Sequence, residues 1–168
     1  VIRGARPADR SAIEAVTLAA YEQYAAILPP RLWLEYRRNI VETLADAAPD
    51  ITIVAEAEGG ALVGSVLLHP AGARMAVPGR GEADRLAYPE VRLLAVAPAA
   101  RGRGVGRRLM DECIRRARLS GAKALTLHTS DMMTVAMQLY ERMGFVRATD
   151  LDVEVAPGVL VKGYRLAL

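Results

Sequence analysis

Cysteine occurs once, at Cys113, so the chain can form no internal disulfide and offers no thiolate cluster for a metal. On the apolar side of its helical pattern that thiol reads as buried and inert. Phenylalanine and tryptophan also occur once each, and aromatic residues make up 5% of the chain, too few for an evident base-stacking platform. No apolar run reaches the length of a membrane span and no signal-peptide pattern is visible, so a soluble cytoplasmic protein is expected. The chain begins at Val1 rather than methionine, which leaves a removed leader or a trimmed start open. There is no acidic run to mark a polyamine or aminoglycoside site, no internal repeat and no low-complexity tract.

What is present is a 168-residue chain that is 52% hydrophobic and 24% charged, the balance of a folded domain with a proper core, and a single domain over residues 1–168 is expected. The net charge of +3 would suit a polyanion. Its arginines crowd one short stretch, however, which a phosphorylated small molecule explains without nucleic acid.

That stretch is PEVRLLAVAPAARGRGVGRRLMDECIRRA, Pro89 to Ala117. It reads as an apolar strand, a glycine- and arginine-rich loop and an amphipathic helix burying Val105, Leu109, Cys113 and Ala117. The first N–H groups of such a helix lack intrahelical acceptors and the helix dipole is positive at that end, so the junction suits an anion. Gly102, Gly104 and Gly106 allow close backbone approach, and Arg101, Arg103, Arg107 and Arg108 add charge. A Walker loop would need Gly-Lys-Ser/Thr, but Arg107, Arg108 and Leu109 follow Gly106. The dinucleotide fingerprint G-x-G-x-x-G would need glycine at Arg107 or Leu109. The spacing that is filled is R-x-x-G-x-G, by Arg101, Gly104 and Gly106.

Elsewhere the periodicity predicts a short strand at Val1–Gly4 and a helix with Ile13, Val16, Ala20, Tyr21 and Tyr24 on one face, broken at Pro29 and Pro30. A second helix is expected over about Arg31–Ala47, with Leu32, Tyr36, Ile40 and Leu44 facing the core. A hairpin follows, from Ile51 to Leu68 with its turn at Glu58, Gly59 and Gly60. Between His69 and Ala87 no period is sustained, and a loop of that length is a candidate lid. A strand over Ala124–Thr129, a helix over about Met132–Arg142, and two strands near Phe145–Val155 and Val159–Ala167 complete the chain. His128 reads as a satisfied or exposed histidine at a strand end, and His69, beside Pro70, as surface.

The R-x-x-G-x-G loop resembles the pyrophosphate loop of the Gcn5-related N-acetyltransferase (GNAT) family. The segment TVAMQLYERMGF resembles that family's A-x-x-L-Y-x-x-x-G-F motif through Ala136, Leu139, Tyr140, Gly144 and Phe145. The asparagine often found three residues before that alanine is replaced by Met133 here, which removes a side-chain bond to the cofactor. The resemblance implies a mixed α/β fold: a mostly antiparallel sheet of about six to seven strands with one splayed parallel pair, flanked by about four helices. It implies acetyl-coenzyme A as cosubstrate and no metal. The pantetheine would run along the backbone of Leu94, Ala95 and Val96, and the pyrophosphate would lie over Arg101, Gly102, Arg103, Gly104, Val105, Gly106 and Arg107.

Glu90 aligns with the family's general base, acting directly or through one water, and Tyr140 with the tyrosine beside the coenzyme sulfur. A carboxylate near pKa 4.3 is a weak base for an amine near 10.4, whose deprotonation at pH 7 costs about 4 to 5 kcal/mol. A phenol near 10 is an uphill donor to a thiolate near 8.5, so hydrogen-bond stabilisation of the leaving thiolate is the role expected of Tyr140. Tyr21, Tyr24 and Trp33 are placed by the resemblance at the acceptor pocket, although core filling is the better account of most of them. The resemblance implies an N-acetyltransferase acting on a primary amine by direct attack. A catalytically silent acetyl-coenzyme A sensor and a basic nucleic-acid-binding module are the rivals. A homodimer through the late strands is a further implication of the resemblance, with no interface legible in the sequence.

Overall fold

A computed structural model describes residues 1–75 and 84–168. The chain divides into two compact units: Val1–Leu68 with Leu93–Glu112, and His69–Arg92 with Cys113–Leu168.

In the first unit β1 (Ile2–Gly4) pairs antiparallel with β2 (Thr52–Glu56), and β2 with β3 (Leu62–His69), in registers Arg3↔Val54 and Val54↔Ser65. Gly60, at φ +82°, makes the hairpin turn, its N–H bonding the Ala57 carbonyl at 2.9 Å. The next strand, β6 (Glu90–Val96), is the neighbour of β3. Gly64 allows that approach, because a Cβ there would sit 2.9 Å from the Ala95 carbonyl oxygen. Helix α1 (Arg10–Tyr21) buries Ile13, Val16, Thr17, Ala20 and Tyr21, the i, i+3, i+4, i+7, i+8 stripe of an amphipathic helix. The buried Thr17 hydroxyl is satisfied, its Oγ1 lying 3.0 Å from Ser65 Oγ.

Tyr24, expected on the same helix, lies instead in a 3-10 turn over Glu22–Ala26. Helix α2 (Pro30–Asp46) buries Trp33, Ile40 and Leu44 but leaves Leu32 43% exposed, contrary to expectation. A four-residue step overshoots the helical turn by about 40°, so three such steps carry Leu32 off the face that Leu44 buries.

The second unit takes the first residues of β6 into a parallel pair with β7 (Ala124–Thr129), in register Glu90↔Thr126 and Val91↔Leu127. On its other side β7 pairs antiparallel with β10 (Val159–Ala167), in register Lys162↔Thr129 through Ala167↔Ala124. The strand expected over Phe145–Val155 is broken into β8 (Val146–Arg147) and β9 (Val153–Ala156) by a 3-10 turn at Thr149–Leu151. The cause lies across the ladder: the turn packs directly on Gly163 of β10, where a Cβ would come within 2.3 Å of Leu151 Cβ.

Two helices complete the set, α3 (Val105–Leu119), which continues from the first unit into the second, and α4 (Thr134–Arg142). The fold class is as expected: mixed α/β, mostly antiparallel with, among the described residues, one parallel pair and four helices. In the segment expected as a loop, β4 (Arg74–Met75) and β5 (Asp84–Arg85) form a small hairpin. The central part of the candidate lid, 76–83, lies outside the described residues. Among the described residues no helix is long and apolar enough to cross a membrane, and no group of three metal-ligating side chains occurs.

Candidate active site

The glycine-rich loop belongs to the first unit. After β6 the chain makes a 3-10 turn at Pro98–Ala100, then passes through Gly102 at φ +74° and Gly104 at φ +73° before α3 begins at Val105. Both values are left-handed, and a Cβ on either glycine would meet nothing within 4 Å. Glycine is therefore required here by backbone conformation, and the space over the loop is open. The Arg108 N–H bonds the Gly104 carbonyl at 3.1 Å, so the N–H groups of Val105, Gly106 and Arg107 precede the first intrahelical bond. Those N–H groups precede the helix ladder at its positively polarised end, an arrangement suited to an anion. Val105 itself is buried and anchors the helix start, while Arg103 and Arg107 are exposed around it.

Arg101 does something the sequence did not announce. Its Nη2 donates to the Ala20 carbonyl at 2.9 Å, at the C-terminal end of α1, where a cation is favoured by the helix dipole. The same end carries an aromatic cluster. Tyr21 meets Tyr24 and Tyr36 edge-on, at centroid distances of 5.8 and 5.9 Å, and Trp33 meets Tyr36 at 6.3 Å. Tyr21 and Trp33 are buried and Tyr24 is half-buried. Burial raises the Tyr24 pKa, and the charge of Arg101 works against that rise. The three aromatics read from the sequence thus stand together with a fourth, Tyr36.

Leu94, Ala95 and Val96 also lie in the first unit, Ala95 buried and its neighbours partly so. They follow Leu93, which holds φ +50°, a left-handed value that is strained for a branched residue and interrupts the pleat of β6. The ladder with β7 covers Glu90 and Val91, ahead of that point.

Glu90 and Tyr140 belong to the second unit. Tyr140, on α4, is 6% exposed, with its ring 5.9 Å from that of Phe145. Gly144 stops the helix at φ +91°, and the Phe145 N–H returns to the Tyr140 carbonyl at 3.0 Å. The G-F of the second motif is therefore a Schellman-type stop that folds Phe145 onto Tyr140.

Glu90 is 6% exposed. Its Oε1 lies 3.1 Å from His128 Nδ1, and its Oε2 lies 3.4 Å from Thr126 Oγ1, whose hydroxyl also reaches the Pro89 carbonyl at 3.2 Å. His128 Nε2 is 2.7 Å from the Leu151 carbonyl. Burial lowers the His128 pKa, but the Glu90 carboxylate and then the Leu151 carbonyl outweigh it, and the net direction is upward. The expectation of a satisfied histidine holds, yet its partner is the candidate base. The signal lay in the period of β7: Thr126 and His128 share one face of the strand, and the parallel register brings Glu90 beside them. His69, expected at the surface, is half-buried, and its Nε2 has no partner among the described residues. Burial and then Arg92 push His69 towards the neutral form.

A model of the acetyltransferase (GNAT) family matches residues 14–145. The chain belongs to that family. Among curated GNAT and other acetyltransferases it is 34% identical over 99 residues to an IAA acetyltransferase of Azospirillum brasilense, covering 59% of this chain and 57% of that protein. It is 37% identical over 67 residues to a mycothiol acetyltransferase of Geodermatophilus obscurus, covering 40% of this chain and 22% of that one. The matches thus span a little over half and about a fifth of the length of those relatives. Among solved structures, the PaiA N-acetyltransferase of Thermoplasma acidophilum in complex with coenzyme A superposes with a TM-score of 0.74 at 14% identity, covering 100% of this chain and 98% of that one. A GNAT acetyltransferase of Brucella melitensis in complex with acetyl-CoA gives 0.64 at 23% identity, covering 100% and 87%. At these identities the structural likeness speaks for the fold.

Proposed function

We propose that this GNAT protein is a single-domain N-acetyltransferase, which binds acetyl-coenzyme A at the Arg101–Arg107 loop and transfers the acetyl group to a primary amine by direct attack. The observation that carries this reading is the loop itself: two left-handed glycines under open space, leading into the N–H groups that precede the first intrahelical bond of a fifteen-residue helix. The family match across residues 14–145 supports it, as do the two structural neighbours that hold acetyl-CoA and coenzyme A.

In this reading the backbone amides of Gly102 to Arg107 take the pyrophosphate, and the backbone of Leu94, Ala95 and Val96 takes the pantetheine arm. The amine loses one proton to solvent, attacks the thioester carbonyl, and a C–N bond forms as the C–S bond breaks. The second amine proton leaves through a water held by Glu90, whose burial favours a relayed contact over a direct one. Tyr140 stabilises the leaving thiolate, which takes up a proton. Tyr21, Tyr24 and Trp33, with Tyr36, line the acceptor side.

Calorimetric titration with acetyl-coenzyme A, followed by a panel of amines while free thiol is monitored, tests this. Binding with thiol release for one amine class supports the enzyme and identifies its acceptor. Binding without release for any amine supports the sensor reading, and no binding overturns the assignment of the loop.

A further inference from the structure

Glu90 and His128 are joined through a hydrogen-bond chain in which the number of protons is fixed by its two ends. The Leu151 carbonyl only accepts, so His128 Nε2, 2.7 Å away, carries a hydrogen. A neutral ring would then present a bare lone pair at Nδ1 to Glu90 Oε1, 3.1 Å away. Two lone pairs do not face each other at that distance, so one further proton lies between Nδ1 and Oε1. The Glu90 carboxylate and the Leu151 carbonyl favour the charged ring over the cost of its burial, which puts that proton on Nδ1 and makes an imidazolium–carboxylate pair inside the second unit, with the His128 side chain 23% exposed and that of Glu90 7%.

The consequence falls on the other oxygen. Among the described residues the donor near Oε2 is Thr126 Oγ1, at 3.4 Å, and its single hydrogen has the Pro89 carbonyl closer at 3.2 Å. Oε2 therefore keeps lone pairs for a further donor. We propose that His128 is a positioning residue of the acetyl transfer: pinned to the Leu151 carbonyl, it holds one proton against Glu90 Oε1, fixes that carboxylate, and leaves Oε2 as the acceptor for the amine or its water. This rests on the acetyltransferase reading above. In the proton step an amine N–H bond breaks and an O–H bond forms at the water on Oε2, which passes its own proton to solvent. His128 stays charged throughout.

The groups that bear on His128 are Glu90 and Arg92 from β6, the Leu151 carbonyl, and Asp152 just beyond it. Glu90 and Leu151 favour the charged ring and Arg92 opposes it. The test has one arm that needs no turnover. In nitrogen-15 spectra of the imidazole rings, wild-type His128 is expected to be doubly protonated at neutral pH, while His69 remains neutral as an internal reference. In Glu90→Gln, His128 is expected to become neutral with its hydrogen on Nε2. A neutral Nδ1–H ring in the wild type, or titration unchanged in Glu90→Gln, would overturn the proton arrangement.

The second arm is kinetic. His128→Gln keeps a donor but no charge, and is expected to lower kcat by about 10- to 100-fold, with acetyl-coenzyme A affinity unchanged and the acid limb of the kcat/KM profile displaced. Wild-type kcat and pH profile in that variant would overturn the role. If His128→Gln does not fold, Glu90→Asp reads the same pair, since a shorter carboxylate keeps the charge but loses the contact to Nδ1; wild-type kinetics there would also overturn it. Coenzyme binding without turnover of any amine in the wild type would remove the role in transfer through failure of the functional reading, and the spectra would then still decide the proton pair.

Discussion

Gly163 of β10 is a place where one methyl group should do heavy damage. Its Cβ would lie 2.3 Å from Leu151 Cβ, 2.9 Å from the Ala148 carbonyl oxygen and 3.1 Å from the Leu151 carbonyl carbon. Two of these neighbours are backbone atoms, so no rotamer change relieves the overlap. The backbone is also committed on both sides. The Gly163 N–H donates to Asp152 Oδ1 at 2.8 Å, and its carbonyl accepts from the Ala148 N–H at 2.9 Å and from Arg147 Nη1 at 2.7 Å. Overpacking costs about 1–3 kcal/mol, and with backbone on the far side the upper end applies. For a chain of this size about 3 kcal/mol lowers the melting temperature by roughly 6–12 °C. Differential scanning calorimetry of Gly163→Ala against wild type measures it, with Gly59→Ala as control, since a Cβ there meets nothing within 4 Å. A second effect should accompany the first. The displaced turn carries the Leu151 carbonyl away from His128, so the His128 pKa should fall in the same variant. A Gly163→Ala protein melting within about 2 °C of wild type, or one no worse than Gly59→Ala, would refute the packing argument and the explanation of the β8–β9 break with it.

Asp9, bonded by Arg3 and by the Arg6 N–H, has its carboxyl pKa lowered from 3.8 to about 2. This contributes at most about 2 kcal/mol of stability, present above pH 3.8 and lost as pH falls through about 2. Asp9→Asn should therefore lower urea stability at pH 6 and narrow its difference from wild type as the pH approaches 2. The His128 pKa is raised, so its contribution is full below the unfolded value of 6.5 and lost as pH rises through the folded value; denaturation of His128→Gln and wild type across that range should converge on the alkaline side. Gly104→Ala forces a side chain into φ +73°, at about 1–2 kcal/mol, and should weaken acetyl-coenzyme A binding by about 10-fold in calorimetry. Tyr140→Phe should lower kcat by about 10-fold, less than loss of a full general acid; turnover equal to wild type would leave Tyr140 as packing against Phe145.

Local chemistry explains which parts could be read from the sequence. The α1 stripe from Ile13 to Tyr21, the hairpin at Gly60 and the loop-to-helix junction at Gly104 are written in spacings of a few residues, and the structure has them where the periodicity puts them. The break between β8 and β9 depends on what Gly163 touches across the ladder, and no window along Phe145–Val155 contains that residue. Glu90 and His128 are 38 positions apart and meet only because the parallel register sets Glu90 against Thr126. Arg101 and Ala20 are 81 positions apart, and nothing near Ala20 marks its carbonyl as the one that the guanidinium finds.

That separation bears on what the two motifs mean. In R-x-x-G-x-G the glycines take left-handed backbone under open space, but the arginine reaches back to the end of α1, beside Tyr24. In A-x-x-L-Y-x-x-x-G-F the closing glycine and phenylalanine stop a helix and pack its tyrosine. Much of what makes both motifs recognisable is therefore construction: where a helix ends and what its last turn rests on. The ion pair of the candidate base Glu90 with His128 lies outside both motifs. Motif similarity accordingly points to the family and its fold, and supports the coenzyme site proposed above. The proton handling proposed for Glu90 and His128 rests instead on the β6–β7 register and on the carbonyl presented by the Thr149–Leu151 turn, neither of which any motif residue specifies.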